Sequence, residues 1–105
     1  MTGQPTRVVA LGGGHGLAAT LRALTDLNCD TTAVVTVADD GGSSGRLRAD
    51  FGILPPGDLR MALAALCAHD VAGRHNAELF QYRFGGDSPL SGHPIGNLVL
   101  TALWD

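Results

Sequence analysis

No lysine occurs in this chain; all seven basic residues are arginine. A Walker lysine, a Schiff-base lysine and a lysine general base are therefore excluded within it. Arginine-only usage is also what a GC-rich genome produces. Cysteine is scarce: Cys29 and Cys67 stand alone and form no metal-ligand or redox pair by spacing, which fits a reducing cytoplasm. Positive charge is scarce too. With a net charge of −3 and a pI near 5.7, bulk electrostatics argue against a nucleic-acid partner. No apolar run is long enough to cross a bilayer, and no charged n-region precedes one at the start, so a soluble cytoplasmic protein without membrane insertion is expected. There is no internal repeat and no low-complexity tract.

Glycine, by contrast, is abundant, with 15 in 105 residues, and much of it falls in two clusters that each follow a short apolar segment. Arg7–Leu11 reads as a buried strand and runs into Gly12-Gly13-Gly14-His15-Gly16. Leu17–Leu27 reads as a helix, with Leu17, Leu21, Leu24 and Leu27 at helical spacing. Strand, glycine turn and helix form the first unit of a phosphate- or dinucleotide-binding α/β fold, whose helix N-terminus offers free N–H donors to an anion. Four glycines in five residues exceed what a tight turn needs. His15 can either donate to a phosphate or face solvent.

The second cluster follows strand Thr32–Val37 and occupies the loop Ala38–Gly45, with Asp39, Asp40, Gly41, Gly42, Ser43, Ser44 and Gly45, then Arg46. Glycine bares N–H groups to phosphate oxygens, the hydroxyls can donate, and arginine supplies counter-charge. Adjacent side chains in extended backbone point opposite ways, so one of Asp39 and Asp40 is expected to face a ligand and the other to cap the loop. A carboxylate there can hold a hard cation such as Mg²⁺. Gly14-x-Gly16-x-x-Ala19, with Asp39 downstream, also fits a weak dinucleotide signature, leaving an NAD-type binder as an alternative.

Further along, Arg46–Phe51 reads as a short helical turn and Ile53–Gly57 as a rigid turn set by Pro55 and Pro56. Asp58 is a natural N-cap for a helix with Leu59, Ala62, Leu63 and Leu66 on one stripe. Ala77–Phe84 reads as helical with Leu79 and Phe80 inward, Gly85–Pro94 as a loop, and Ile95–Trp104 as an apolar helix buried on several sides. Met61, Cys67 and Trp104 are assigned to the core. Arg46 and Arg60 flank the loops as phosphate candidates, and Arg48 as a solvated charge. His93 and Asn97, at the start of the last helix, suit a sugar or base edge; Asn97 can also cap backbone groups.

The ordered motifs VVTVADDGGSSGRLR (Val34–Arg48), ILPPGDLR (Ile53–Arg60), FQYRF (Phe80–Phe84), GHPIGNL (Gly92–Leu98) and GGGHGL (Gly12–Leu17) resemble the YvcK/gluconeogenesis-factor family of the CofD-like superfamily. The likeness runs from Val8 to Leu103. His15, where threonine is common, and Pro94, where serine is common, resemble an actinobacterial version.

The resemblance implies a single Rossmann-like α/β domain over residues 1–105, a parallel sheet flanked by helices behind a flexible leader of residues 1–6. Only two strands are evident and family members are much longer, so an incomplete N-terminal portion of the family domain is expected, or a core completed by a second copy. It also implies a cytoplasmic nucleotide-sugar binder of the UDP-N-acetylglucosamine type, more regulatory than enzymatic, linked to cell-envelope growth, cell shape and gluconeogenic growth. The alternative is a metal-dependent 2-phospho-L-lactate transferase. The resemblance favours Asp40 as the loop acid that faces the ligand or metal, and in the transferase case the family's metal-binding acids fall on Asp40 and Asp58.

Overall fold

The computed structural model describes residues 4–27, 29–67 and 69–105. Strand β1 (Thr6–Gly12) leads into helix α1 (Gly14–Thr25), then strand β2 (Cys29–Val35). Four helices follow: α2 (Gly42–Phe51), α3 (Gly57–Ala65), α4 (Val71–Gln81) and α5 (Ile95–Trp104). The strands pair in parallel, from Thr6 opposite Cys29 to Gly12 opposite Val35, and α1 makes the crossover. Both glycine clusters therefore emerge at neighbouring strand tips. This is a βαβ unit with a two-stranded parallel sheet among the described residues, a partial α/β domain as expected.

Alternation along the strands decides which face is covered. Ala10 is buried and Ala33 and Val35 are partly buried against Leu17, Ala18 and Leu21 of α1 and Ala62 and Ala65 of α3. The intervening residues Val9, Leu11 and Val34 are 64%, 74% and 50% exposed, so the opposite face is open. Leu21, fully buried, is the centre of a small, alanine-rich core.

Several boundaries differ from the sequence expectations. Strand β2 begins three residues before Thr32 and stops before Thr36 and Val37, because its seven residues pair one-for-one with β1. Helix α1 starts at Gly14, so Gly14 and Gly16 lie in its first turn. The expected loop Ala38–Gly45 is half helix: Gly41 is the N-cap of α2, and Gly42, Ser43, Ser44 and Gly45 are helical. Asp58 is not the N-cap of α3; Pro56 holds that position and Asp58 sits in the first turn.

Helix α4 runs earlier than Ala77–Phe84 because Asp70 caps it, its carboxylate accepting from the Gly73 N–H at 2.7 Å. Leu79 is 59% exposed rather than inward, while Phe80 is half-buried. Helix α5 has the expected limits but not the expected burial. Its buried residues are Gly96, Asn97 and Thr101, whereas Leu103 and Trp104 are 79% and 57% exposed. Trp104 is thus not core, and Met61 and Cys67 are only half-buried.

Between α4 and α5 the chain turns back on itself. Phe84 N–H donates to His93 O at 3.1 Å, Gly92 N–H to Phe84 O at 2.7 Å and Ile95 N–H to Tyr82 O at 2.8 Å. These bonds fix Arg83 and His93 beside α2. Gly96 lets α5 close on this region, since a Cβ there would stand 2.7 Å from Arg60 Cγ, Phe80 Cδ2 and Phe80 O. No helix among the described residues is long and apolar enough to cross a membrane.

Candidate functional site

The two strand tips are joined by one carboxylate. Asp58 reaches from α3 and accepts the Gly14 N–H on Oδ1 at 2.8 Å. Its Oδ2 accepts the Ala38 N–H at 3.3 Å and the Asp39 N–H at 3.1 Å. A carboxylate at the N-terminus of α1 offsets the helix dipole and satisfies a donor the helix itself cannot. Gly13 permits this approach: a Cβ there would overlap Thr36 Oγ1 and stand 3.2 Å from Asp58 Cγ. The first glycine turn therefore already holds an anion of its own, and the His15 and Gly16 amides remain beyond it. Gly12, at the end of β1, uses its carbonyl to accept the Thr36 N–H at 2.7 Å.

The second turn is arranged differently. Asp39 folds back so that Oδ1 accepts the Gly41 N–H at 3.0 Å and Oδ2 accepts the Ser44 hydroxyl at 3.4 Å. Ser44 Oγ accepts the Gly57 N–H at 3.0 Å. The Ser43 hydroxyl accepts from Asn97 Nδ2 at 3.1 Å and shares a hydrogen bond with His93 Nδ1 at 2.6 Å. His93 is itself buried, at 5% exposed. Its pKa lies below the ordinary 6.5, chiefly because burial penalises the imidazolium and secondarily through Arg46, with Asp50 opposing and Arg83 adding a little. Both serine hydroxyls are thus spent inside the protein. The backbone N–H groups of Gly42, Ser43 and Ser44, in the first turn of α2, have no intrahelical acceptor.

Three adjoining cavities open here. One of about 90 Å³ lies at the α2 N-terminus and is lined by Asp39, Gly41, Gly42, Ser43, Ser44, Arg60, Arg83 and Asn97. A wider one of about 420 Å³ lies over the α1 tip, with Gly13, Gly14, His15, Thr36, Asp39, Asp58 and Met61. A third, of about 400 Å³, shares His15, Asp39, Arg60 and Arg83 with the others. Asp39 lines all three.

Arg60 is only 7% exposed, and its Nε has no hydrogen-bond partner. Burial lowers its pKa below the ordinary guanidinium value, Arg83 lowers it further, and Asp39 opposes them. Arg60 and Arg83 thus face Asp39 at the α2 end of the site, while Asp58 sits at the α1 end, so the side suited to an anionic ligand is the one that carries the two guanidinium groups.

Some expected residues lie elsewhere. Of the two loop acids, Asp39 rather than Asp40 faces the cavities. Asp40 turns outward to Arg48, whose Nη2 lies 3.1 Å from its Oδ1. Asp40 and Asp58 line no common cavity, and Asp58 is committed to three amides, so this pair does not fit a shared Mg²⁺. No cluster of three or more His, Cys, Asp or Glu side chains suited to a metal occurs among the described residues. Arg46 also turns away: Nη1 donates to Ser91 O at 2.6 Å and Nη2 to Pro89 O at 2.8 Å, tying α2 to the turn before α5. Gly45 is needed for packing, since a Cβ there would stand 3.0 Å from Asp40 O. His15 is exposed at the mouth. Arg83 and Thr36 line the cavities and escaped the sequence reading. The one available signal for Arg83 was an arginine inside the aromatic run FQYRF.

Comparison with known proteins agrees with this architecture. Residues 8–105 match the family described as 2-phospho-L-lactate transferase CofD. A Mycobacterium leprae protein whose name includes the words gluconeogenesis factor is 61% identical over 101 residues, which are 96% of this chain and 28% of that protein. The gluconeogenesis factor of Bacillus subtilis is 52% identical over 101 residues, covering 96% of this chain and 31% of that one. Among solved structures, protein BH3568 of Bacillus halodurans superposes with a TM-score of 0.80 at 48% identity, over 95% of this chain and 31% of its own. The chain thus spans about three-tenths of the length of the relatives it matches, and it belongs to the CofD family, among relatives of the gluconeogenesis-factor type.

Proposed function

We propose that this chain carries the phosphate-binding part of a cytoplasmic nucleotide-sugar-binding regulator. Its ligand would be of the UDP-N-acetylglucosamine type, and its role would lie in cell-envelope growth, cell shape and growth on gluconeogenic carbon. The observation that carries this reading is the convergence of Arg60, Arg83 and the first-turn amides of α1 and α2 on adjoining cavities at neighbouring strand tips. Arginine forks and helix-terminal N–H groups are the donors a diphosphate needs. Asp58 and Asp39 repel phosphate from the Gly14 side, so the diphosphate lies across the mouth, between the His15 and Gly16 amides and the two guanidinium groups. His15 at the rim is placed to meet the attached sugar or nucleoside.

Calorimetry with UDP-N-acetylglucosamine, GDP and NAD, each with and without Mg²⁺, tests the proposal. Metal-independent binding of the nucleotide sugar, weakened by Arg83→Gln, is the expected result. Strict metal dependence with a guanine nucleotide would instead favour a phospholactyl-type transferase. NAD binding lost in Asp39→Ala would favour a dinucleotide site.

A further inference from the structure

The small cavity at the α2 N-terminus differs in kind from the mouth beside it. Two side chains that line it carry buried polar atoms without partners: Arg60 Nε, a donor, and Asn97 Oδ1, an acceptor. The residues are 7% and 1% exposed, so the surface does not supply those partners. Leaving such groups unmade is costly, and a native site normally answers each with a ligand or ordered water.

What fills the space meets several donors and a carboxylate acceptor together. The accepting demand is large, with Arg60, Arg83 and the free N–H groups of Gly42 and Ser43 all around the cavity. The donating demand is specific. Asn97 turns its Nδ2 to Ser43, which leaves Oδ1 as a pure acceptor, and Asp39 contributes a carboxylate to the same wall. At about 90 Å³ the cavity has room for one tetrahedral oxyanion or for several waters.

We infer that this inner cavity selects a tetrahedral oxyanion that still carries a proton, either free phosphate or a terminal phosphomonoester, and discriminates against one that carries none. A phosphate hydroxyl can donate to the Asp39 carboxylate while the remaining oxygens accept from Arg60 and the α2 amides. Sulfate, of the same shape, has no proton to give at neutral pH and would set an oxygen against that carboxylate. The internal phosphates of a nucleotide sugar also lack a hydroxyl, so the cavity is a second subsite and not the seat of the diphosphate. The inference rests on the anion-binding reading of the strand tips but not on any nucleotide.

The test is calorimetric titration of the 105-residue chain with inorganic phosphate and with sulfate at pH 7 and matched ionic strength. Phosphate should bind at least about tenfold more tightly than sulfate, the scale of one mismatched buried hydrogen bond. Asp39→Asn, which puts an amide donor on the wall, should bring the ratio toward unity or reverse it. Arg83→Gln, at an exposed position, should weaken both anions and keep the ratio. Equal affinity for the two anions in the unchanged protein, or no binding of either because water fills the cavity, would overturn the inference. Free phosphate and a phosphomonoester are separated by adding a sugar monophosphate. Loss of nucleotide-sugar binding with phosphate selectivity intact would sink the proposed function alone.

Discussion

The two glycine turns look alike in sequence and do different work. At the first, Asp58 supplies the negative charge from within, bonding Gly14, Ala38 and Asp39 and locking the tips of β1 and β2 together. At the second, the hydroxyls of Ser43 and Ser44 are consumed by Asn97, His93, Gly57 and Asp39, while the α2 amides and Arg60 face a cavity. Glycine supplies access in both places. Whether that access serves the protein or a ligand depends on which acid a distant element brings to the turn.

Removing the internal anion should erase the difference. Asp58→Ala strands three amides, one at a helix terminus, and is expected to cost about 3 kcal/mol by urea unfolding. In that variant phosphate or sulfate should restore stability by occupying the first turn, a rescue absent from the unchanged protein at that site. Gly96→Ala attacks the second turn through packing. Its Cβ meets Arg60 and Phe80 at 2.7 Å, and overpacking of this sort costs about 2 kcal/mol; an unchanged urea midpoint would contradict the described closeness of α4 and α5.

Arg46→Ala should cost about 1 kcal/mol by losing two backbone acceptors and leave phosphate affinity unaltered. A large affinity loss would return Arg46 to the ligand site. His93 gives a pH signature of defined sign. Its pKa is lower folded than unfolded, so the unfolded chain takes up protons first and stability is full above 6.5. The melting temperature should fall as pH drops below that value, and His93→Gln should flatten the slope. The smallest effect is expected at Asp40→Asn, an exposed pair with Arg48 worth less than about 0.5 kcal/mol.

Much of the fold was legible in the sequence because it rests on local signals. The β1–glycine–α1 unit, the second strand and the limits of α5 follow from apolar period and glycine placement. The first turn of helix α2 was hidden because Gly-Gly-Ser-Ser-Gly has poor intrinsic helix propensity, and tertiary bonds from Asn97, His93 and Gly57 hold it. The burial of α5 was misread for a related reason. Hydropathy points to Leu103 and Trp104, yet the side that packs carries Asn97 and Thr101. The apolar face at Val9, Leu11 and Val34 is uncovered in this chain, which spans 28% of its Mycobacterium leprae relative and 31% of its Bacillus subtilis relative.

In the site, Gly13, Gly14, Gly41, Gly42, Asp39, Arg60 and Asn97 were named as candidates from the sequence, and they line the cavities. The choice between Asp39 and Asp40, and the diversion of Arg46, depend on contacts with Ser44, Arg48, Pro89 and Ser91 that no local pattern encodes.

The contrast between the turns is most directly tested by following backbone amide resonances while inorganic phosphate is added. The Gly42, Ser43 and Ser44 signals should move in a saturable way, while those of Gly14 and Ala38, already bonded to Asp58, stay in place. Movement of Gly14 and Ala38 with the α2 amides unmoved would contradict the account.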